Sequence, residues 1–279
     1  MNTGIAVARS AAEAGGRIAW ADVITRAAEI VRAYDTPVTL RQLFYRLVAA
    51  LLIPNSQTAY KRLSDLTAQA RRAGTFPALI DRGREVQRPL TFDSPQEARG
   101  WLASVYRRDR TEGQPVSLYL GVEKAGLVHQ LNAWFRALGV PILPLGGYAS
   151  QTFVDEVRQD VRAQARPALL IYAGDFDPSG IDIERDFVER AACFDEVARV
   201  ALTAEQISMY DLPPLPGKAT DSRAASFVAL HGRLVQVELD ALPPDVLHAL
   251  FQEAIEASWD TSAYGRALAR ERRERDRLW

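Results

Sequence analysis

Apolar residues recur every three to four positions through residues 20–34, where Val23, Ile24, Ala27, Ile30 and Val31 share one helical face. Pro37 restricts the residue before it, so this helix is expected to end at Asp35-Thr-Pro. Thr39 is a candidate N-cap for a second helix, LRQLFYRLVAALL, whose apolar face comprises Leu40, Leu43, Phe44, Leu47, Val48 and Leu51. Pro54-Asn55 breaks the chain, Ser56 can cap a third helix, QTAYKRLSDLTAQARRAG, and Gly74 stops it. Residues 76–92, FPALIDRGREVQRPLTF, fit a strand-turn-strand wing with Arg82-Gly83-Arg84 at its tip. Three short helices with tight connections followed by a wing have the layout of a winged helix-turn-helix unit. Residues 93–113 read as helical and then polar, which places a linker at 93–114.

From residue 115 the pattern changes. VSLYLGV, VPILPLG, PALLIYA and EVARVALT read as strands, separated by the helical stretches AGLVHQLNAWFRALG, SQTFVDEVRQDVRAQA and GIDIERDFVERAA. LVQVELDAL reads as a further strand. Alternation of this kind calls for an α/β domain with a largely parallel sheet covered by helices. The expected organisation is a lead-in at 1–19, a mostly helical winged-helix domain at 20–92, a linker helix at 93–114, and the α/β domain at 115–279. The last stretch, RALARERRERDRLW, reads as a mixed-charge helix that is either a solvated face or a dimer contact.

Composition changes this picture little. A hydrophobic content of 48% and a charged content of 25% over 279 residues suit an ordinary globular core. The apolar runs are too short to span a membrane, and the N-terminus lacks a signal-peptide core. Cys193 is the single cysteine, which excludes a disulfide framework and a cysteine-built metal site. His129, His231 and His248 have no zinc-ligand spacing. The expected location is cytoplasmic, and a DNA-binding role would add association with the nucleoid.

Charge adds more. The net charge is −1, yet residues 1–114 carry 17 lysines and arginines against 11 acids, and residues 115–279 carry 17 against 24. Residues 41–88 alone hold nine basic residues and three acids. A basic segment beside an acidic one suggests a polyanion-binding module joined to a metal-binding module, or otherwise a solvated helical surface. Lys61, Arg62, Arg71, Arg72, Arg82 and Arg84 are the candidate DNA-binding residues.

The candidate chemistry lies where strands end. Asp175 and Asp177 follow PALLIYA, and Glu123 follows VSLYLGV. Ligands of open parallel sheets bind beyond the carboxyl ends of the strands. Carboxylates gathered there repel one another, and a hard divalent cation such as Mg²⁺ removes that penalty. The plainer reading makes Asp177 a helix cap, Asp175 a turn residue and Glu123 a solvated acid. Pro178 suits the first turn of the following helix. Tyr45 projects off the apolar face of its helix, with Arg41 one turn earlier on the same flank, where a phenol can reach a phosphate that a guanidinium binds. Otherwise it is a boundary tyrosine with a wetted hydroxyl. Lower in rank are Lys124, Glu238, and Lys218 with Arg223 in the loop PGKATDSR.

The motifs GVEKAG and YAGDFDPSG, a strand-end Glu followed two strands later by Asp-x-Asp, resemble the signature of the TOPRIM fold. The Pro-Ser-Gly after the acids is most similar to the A subunit of topoisomerase VI, a type IIB enzyme, and to its relative, the meiotic double-strand-break protein. ALTAEQISMYDLPP with VQVELDAL resembles the tail of their TOPRIM domain, and TLRQLFYRL resembles their tyrosine helix, Arg-x-x-x-Tyr. The resemblance covers most of residues 36–250. It implies Mg²⁺ held by Glu123, Asp175 and Asp177, attack by Tyr45 on a phosphodiester of double-stranded DNA with help from Arg41, a 5′-phosphotyrosyl link, and a homodimer that cuts both strands. It implies a GHKL-type ATPase, the B subunit of such enzymes, as partner. The chain is nonetheless shorter than the family's typical DNA-breaking polypeptide and has no ATP-binding motif of its own. Two other readings use the same residues: a metal-dependent nuclease acting on DNA or RNA with Tyr45 structural, and a non-catalytic DNA-binding protein.

Overall fold

The computed structural model describes residues 18–34, 38–80, 89–216 and 221–278. The lead-in up to residue 17, the wing tip with Arg82 and Arg84, and Lys218 lie outside the described residues. The elements run α1 (Trp20–Ala33), α2 (Leu40–Ala49), α3 (Gln57–Arg72), α4 (Pro95–Val105), β1 (Ser117–Val122), α5 (Ala125–Phe135), β2 (Ile142–Pro144), α6 (Gln151–Gln164) and β3 (Ala168–Ala173). Then come α7 (Pro178–Ala191), β4 (Glu196–Ala201), α8 (Ala204–Met209), β5 (Leu215–Pro216), α9 (Ala224–His231), β6 (Val235–Gln236), a 3₁₀ turn (Leu239–Ala241), α10 (Pro244–Glu256) and α11 (Thr261–Arg275). The fold is α/β, with a four-stranded, wholly parallel sheet. Among the described residues no helix is long and apolar enough to cross a membrane.

The chain divides into two compact units, and the division is not collinear with the sequence. Among the described residues, one unit gathers those of 1–84, 175–178 and 202–247, and the other those of 85–174, 179–201 and 248–279.

In the first unit, α1, α2 and α3 close around Val23, Ala27, Val31, Leu43, Phe44, Leu47, Val48, Leu63 and Phe76, all buried. The caps anticipated from sequence form. Thr39 and Gln42 make a reciprocal capping box, Ser56 accepts from Ala59 N–H, and Gly74 adopts a left-handed φ of 71° after α3. Leu51 departs from its expected place on the buried face. The helix ends at Ala49, Leu51 takes φ 56°, and its side chain is turned outward to 41% exposure. Of the expected wing, Ile80 forms a single parallel bridge to Thr39, and residues 89–92 have no regular structure.

Residues 202–247 complete this unit with α8, the short antiparallel pair β5–β6, α9 and the 3₁₀ turn. The expected strand LVQVELDAL is not one strand. Only Val235–Gln236 pairs with β5; Val237 then bridges to Phe176, and the chain tightens into the 3₁₀ turn. Alternating apolar residues there serve a segment that changes partner every two residues, so a period of two does not yield a long ladder.

In the second unit the strand order is β2-β1-β3-β4. All six residues of β1 and of β3 are buried, as expected for central parallel strands covered on both faces. One face carries Tyr119, Leu170 and Tyr172 against Val154, Val157 and Val161 of α6 and Ile183 and Phe187 of α7. Gly121 gives that face its room: a Cβ there would lie 3.0 Å from both Leu170 and Tyr172 side-chain carbons.

Helix α11 is not solvated all round: one side of it is packed. Ala263, Ala267 and Glu271 are buried. Glu271, only 3% exposed, accepts from Arg110 Nε (2.9 Å) and Nη2 (2.6 Å) and from Arg108 N–H (3.1 Å). Tyr106 and Arg108 bind Glu274 one turn on. The hydrogen bond from Arg110 holds the Glu271 carboxyl below its ordinary value, against the opposing effect of burial. Glu271→Ala is expected to destabilise the fold by about 3–5 kcal/mol, because it strands a largely buried guanidinium; the urea-unfolding midpoint measures this. The lowered pKa also fixes a sign. The stabilisation from Glu271 is fully present above the ordinary carboxyl value of 4.5 and disappears as pH falls through the lowered folded value, so wild type and Glu271→Ala should converge in stability in acid.

Candidate functional site

The capping box sets the rotation of α2. With Gln42 N–H on Thr39 Oγ1 (3.2 Å) and Thr39 N–H on Gln42 Oε1 (3.0 Å), the helix directs Leu43, Phe44, Leu47 and Val48 into the core. Arg41 and Tyr45, four residues apart, then share one flank, Arg41 exposed and Tyr45 half-buried. The Arg41 guanidinium carbon lies 5.5 Å from the Tyr45 ring centroid, and Phe44 packs edge-on to that ring at 5.3 Å.

Arg41 is tethered by two carboxylates far along the chain. Its Nη2 lies 3.1 Å from Glu238 Oε2 and its Nε 3.6 Å from Asp240 Oδ2. Burial lowers the Arg41 pKa, but Tyr45, Glu238 and Asp240 outweigh it, and the guanidinium ends above its ordinary value. Leu239, between the two acids, donates its N–H to Asp175 Oδ1 at 2.7 Å. Phe176 and Val237 exchange two backbone hydrogen bonds of 2.9 and 3.0 Å. Arg46, the residue after Tyr45, donates to Ala241 O at 3.4 Å. Residues 237–241 therefore join two sequence motifs: Asp175-Phe176 holds one side and Arg41 the other. Asp175 and Asp240 are buried, and each has a donor or cation to meet its charge.

Sequence reasoning gives Glu238 a low rank and does not single out Asp240. The clue is present in VELDAL, where two acids alternate with apolar residues; read as a strand, that pattern sends both acids to solvent.

Of the other sequence candidates, Asp177 is half-buried and directly precedes α7, which begins at Pro178. Glu123 belongs to the second unit. It is half-buried, donates its N–H to Ala173 O at 3.1 Å, and accepts at its backbone carbonyl from Gly146 N–H at 2.7 Å. This ties together the carboxyl ends of β1 and β3, the strands on either side of the reversal in strand order, where open parallel sheets place their ligands. Among the described residues no group of three or more His, Cys, Asp or Glu side chains is arranged to hold a metal ion.

Lys61, Arg62, Arg71 and Arg72 are all exposed on α3. Arg223 is clamped by Asp221 through Nε (2.8 Å) and Nη2 (2.9 Å). His231 packs among Phe176 and Phe227, and His248 against Trp134 and Phe135, so both serve as packing rings.

Gly174, which opens the acidic motif, is needed for space. Its φ is not left-handed, but a Cβ would sit 2.5 Å from the Tyr172 hydroxyl, so the glycine accommodates the buried Tyr172 side chain.

In comparisons with protein-family models and with curated proteins, this chain has no match.

One substitution tests the architecture of this motif. Asp175→Ala removes the acceptor of a buried backbone N–H and is expected to lower stability by about 1–3 kcal/mol. The denaturant midpoint of the variant checks this, and an unchanged midpoint would contradict it.

Proposed function

We propose that the protein breaks DNA strands by tyrosine transesterification, with Tyr45 as nucleophile. The observation that carries this reading is the Arg41–Tyr45 couple: a guanidinium set beside a half-buried phenol and held there by Glu238 and Asp240. Support also comes from the exposed basic residues of α3, from the three helices with their caps at Thr39 and Ser56, and from the Glu123 and Asp175-x-Asp177 pattern after β1 and β3. In this reading residues 20–92 are a winged-helix-like DNA module, and the parallel sheet is TOPRIM-like, as in the DNA-breaking half of topoisomerase VI.

An unassisted tyrosine has a pKa of about 10 and is a weak nucleophile at neutral pH. Arg41 favours the phenolate electrostatically and neutralises charge on an approaching phosphate. In the step itself a bond forms between Tyr45 Oη and phosphorus while the bond from phosphorus to the sugar 3′ oxygen breaks. The phenolic proton is released, and the departing sugar oxygen takes one up. The 5′ end stays on Tyr45 as a phosphodiester, so the energy of the cut bond is kept for resealing.

Mg²⁺ dependence belongs to the proposal through the sequence pattern of Glu123, Asp175 and Asp177. The described side chains form no three-residue metal group, and the roles of Tyr45 and Arg41 do not depend on the ion's position. Double-stranded DNA is the substrate and a homodimer the active form, since one tyrosine cuts one strand. A GHKL-type ATPase is the partner class for full strand passage.

The test is covalent trapping. Wild type incubated with Mg²⁺ and end-labelled DNA, then quenched with denaturant, should carry label. Tyr45→Phe should carry none, and Arg41→Gln should trap about a hundredfold less. Cleavage with free ends in wild type and Tyr45→Phe alike would replace the transesterase with a hydrolytic nuclease. Binding without cleavage, with the ATPase partner supplied, would leave a DNA-binding protein.

A further inference from the structure

Beside the Arg41–Tyr45 couple lies a cleft of about 340 Å³, lined by Thr39, Leu40, Arg41, Tyr60, Arg71, Leu79 and Ile80. That volume falls at the small end of ligand pockets, which begin at roughly 300 Å³.

Its walls are fixed to one another. Ile80 donates its N–H to Val38 O at 3.0 Å and bridges to Thr39, which fastens the Leu79–Ile80 wall to the start of α2. Tyr60 and Arg71 come from α3, about three helical turns apart, and so return to the same side of that helix. Tyr60 is held edge-on against Phe44 at 5.2 Å, and Arg71 Nε is anchored on Thr67 O at 3.3 Å.

The lining combines two kinds of chemistry. Arg41 and Arg71 offer two guanidiniums, that of Arg41 already turned in part to Glu238 and Asp240, and Tyr60, Leu40, Leu79 and Ile80 offer flat or aliphatic surface. A simple anion would use only the arginines, and an apolar ligand would leave the Arg71 cation desolvated without a counter-charge. A nucleotide unit uses both, with its phosphate between the guanidiniums and its base on the aromatic and aliphatic wall. We propose that this cleft binds one nucleotide unit of the DNA, next to the phosphate that Tyr45 attacks. Arg41 lines the cleft and also flanks the Tyr45 ring, so the cleft and the proposed nucleophile share one guanidinium. The choice of DNA over a free nucleotide as the source rests on the strand-breakage reading; the nucleotide chemistry of the cleft does not.

The experiment measures binding of a fluorescent single-stranded oligonucleotide, and separately of free deoxyadenosine 5′-monophosphate, to the full chain. Arg71→Gln is the main variant, because Arg71 is exposed and its loss leaves the core intact. Tyr60→Leu tests the wall, and Arg72→Gln removes an equal charge from the same helix outside the cleft. Arg71→Gln is expected to weaken oligonucleotide binding about tenfold and Tyr60→Leu several-fold, with Arg72→Gln changing it about twofold. Stronger binding of the monophosphate than of the oligonucleotide, still lost in Arg71→Gln, would keep the cleft and make a free nucleotide its ligand. Equal weakening by Arg71→Gln and Arg72→Gln, unchanged binding in Arg71→Gln, or no binding of either probe by wild type would each overturn the cleft. Binding that depends on Arg71 together with no label trapped on Tyr45, with the ATPase partner supplied, would sink strand breakage and leave the cleft standing.

Discussion

The first unit depends on what residues 237–241 do with their charges. Glu238 and Asp240 face one guanidinium, Arg41, and the amide between them is held by Asp175. None of these groups would be stable alone in its surroundings. A buried carboxylate such as Asp240 needs a cation, and a buried amide such as that of Leu239 needs an acceptor. Satisfying them together brings the segment after β3, the 3₁₀ turn and α2 into one arrangement. The backbone exchange between Phe176 and Val237 and the bond from Arg46 to Ala241 reinforce it.

That arrangement constrains the tyrosine. Arg41 has a long, rotamer-rich side chain, and an exposed one would sample many positions. Two carboxylates limit it to the flank of α2, over the Tyr45 ring. Tyr45 itself is braced by Phe44, which also receives the ring of Tyr60. One aromatic row thus runs from the proposed nucleophile to the cleft wall, and a substitution at Phe44 would disturb both.

The sheet contributes differently. Its central strands are buried on both faces, and their register pairs Val122 with Ala173, which sets the Glu123 N–H on Ala173 O. Gly121 and Gly174 are needed for space around Tyr172 and Leu170, not for backbone freedom. Packing of one tyrosine therefore accounts for a glycine inside the strand and for the glycine that opens the acidic motif.

Much of this was legible in the chain. Helical periodicity, Thr39 and Ser56 as caps, Gly74 as a stop and Pro178 as a helix start are local signals, and local backbone physics decides them. Buried runs such as ALLIYA marked the parallel strands, because a strand covered on both faces must be apolar throughout. What the sequence could not decide was everything set by partners distant in the chain. Alternation in VELDAL suggested a strand, yet Glu238 and Asp240 turn inward because Arg41, nearly two hundred residues earlier, is there to neutralise them. The mixed charges of α11 suggested a solvated helix, yet Glu271 is buried because Arg110 meets it. A charge pattern records which groups need compensation, but only the tertiary structure determines which partner supplies it, because the desolvation cost that selects the pair exists only once the chain has folded.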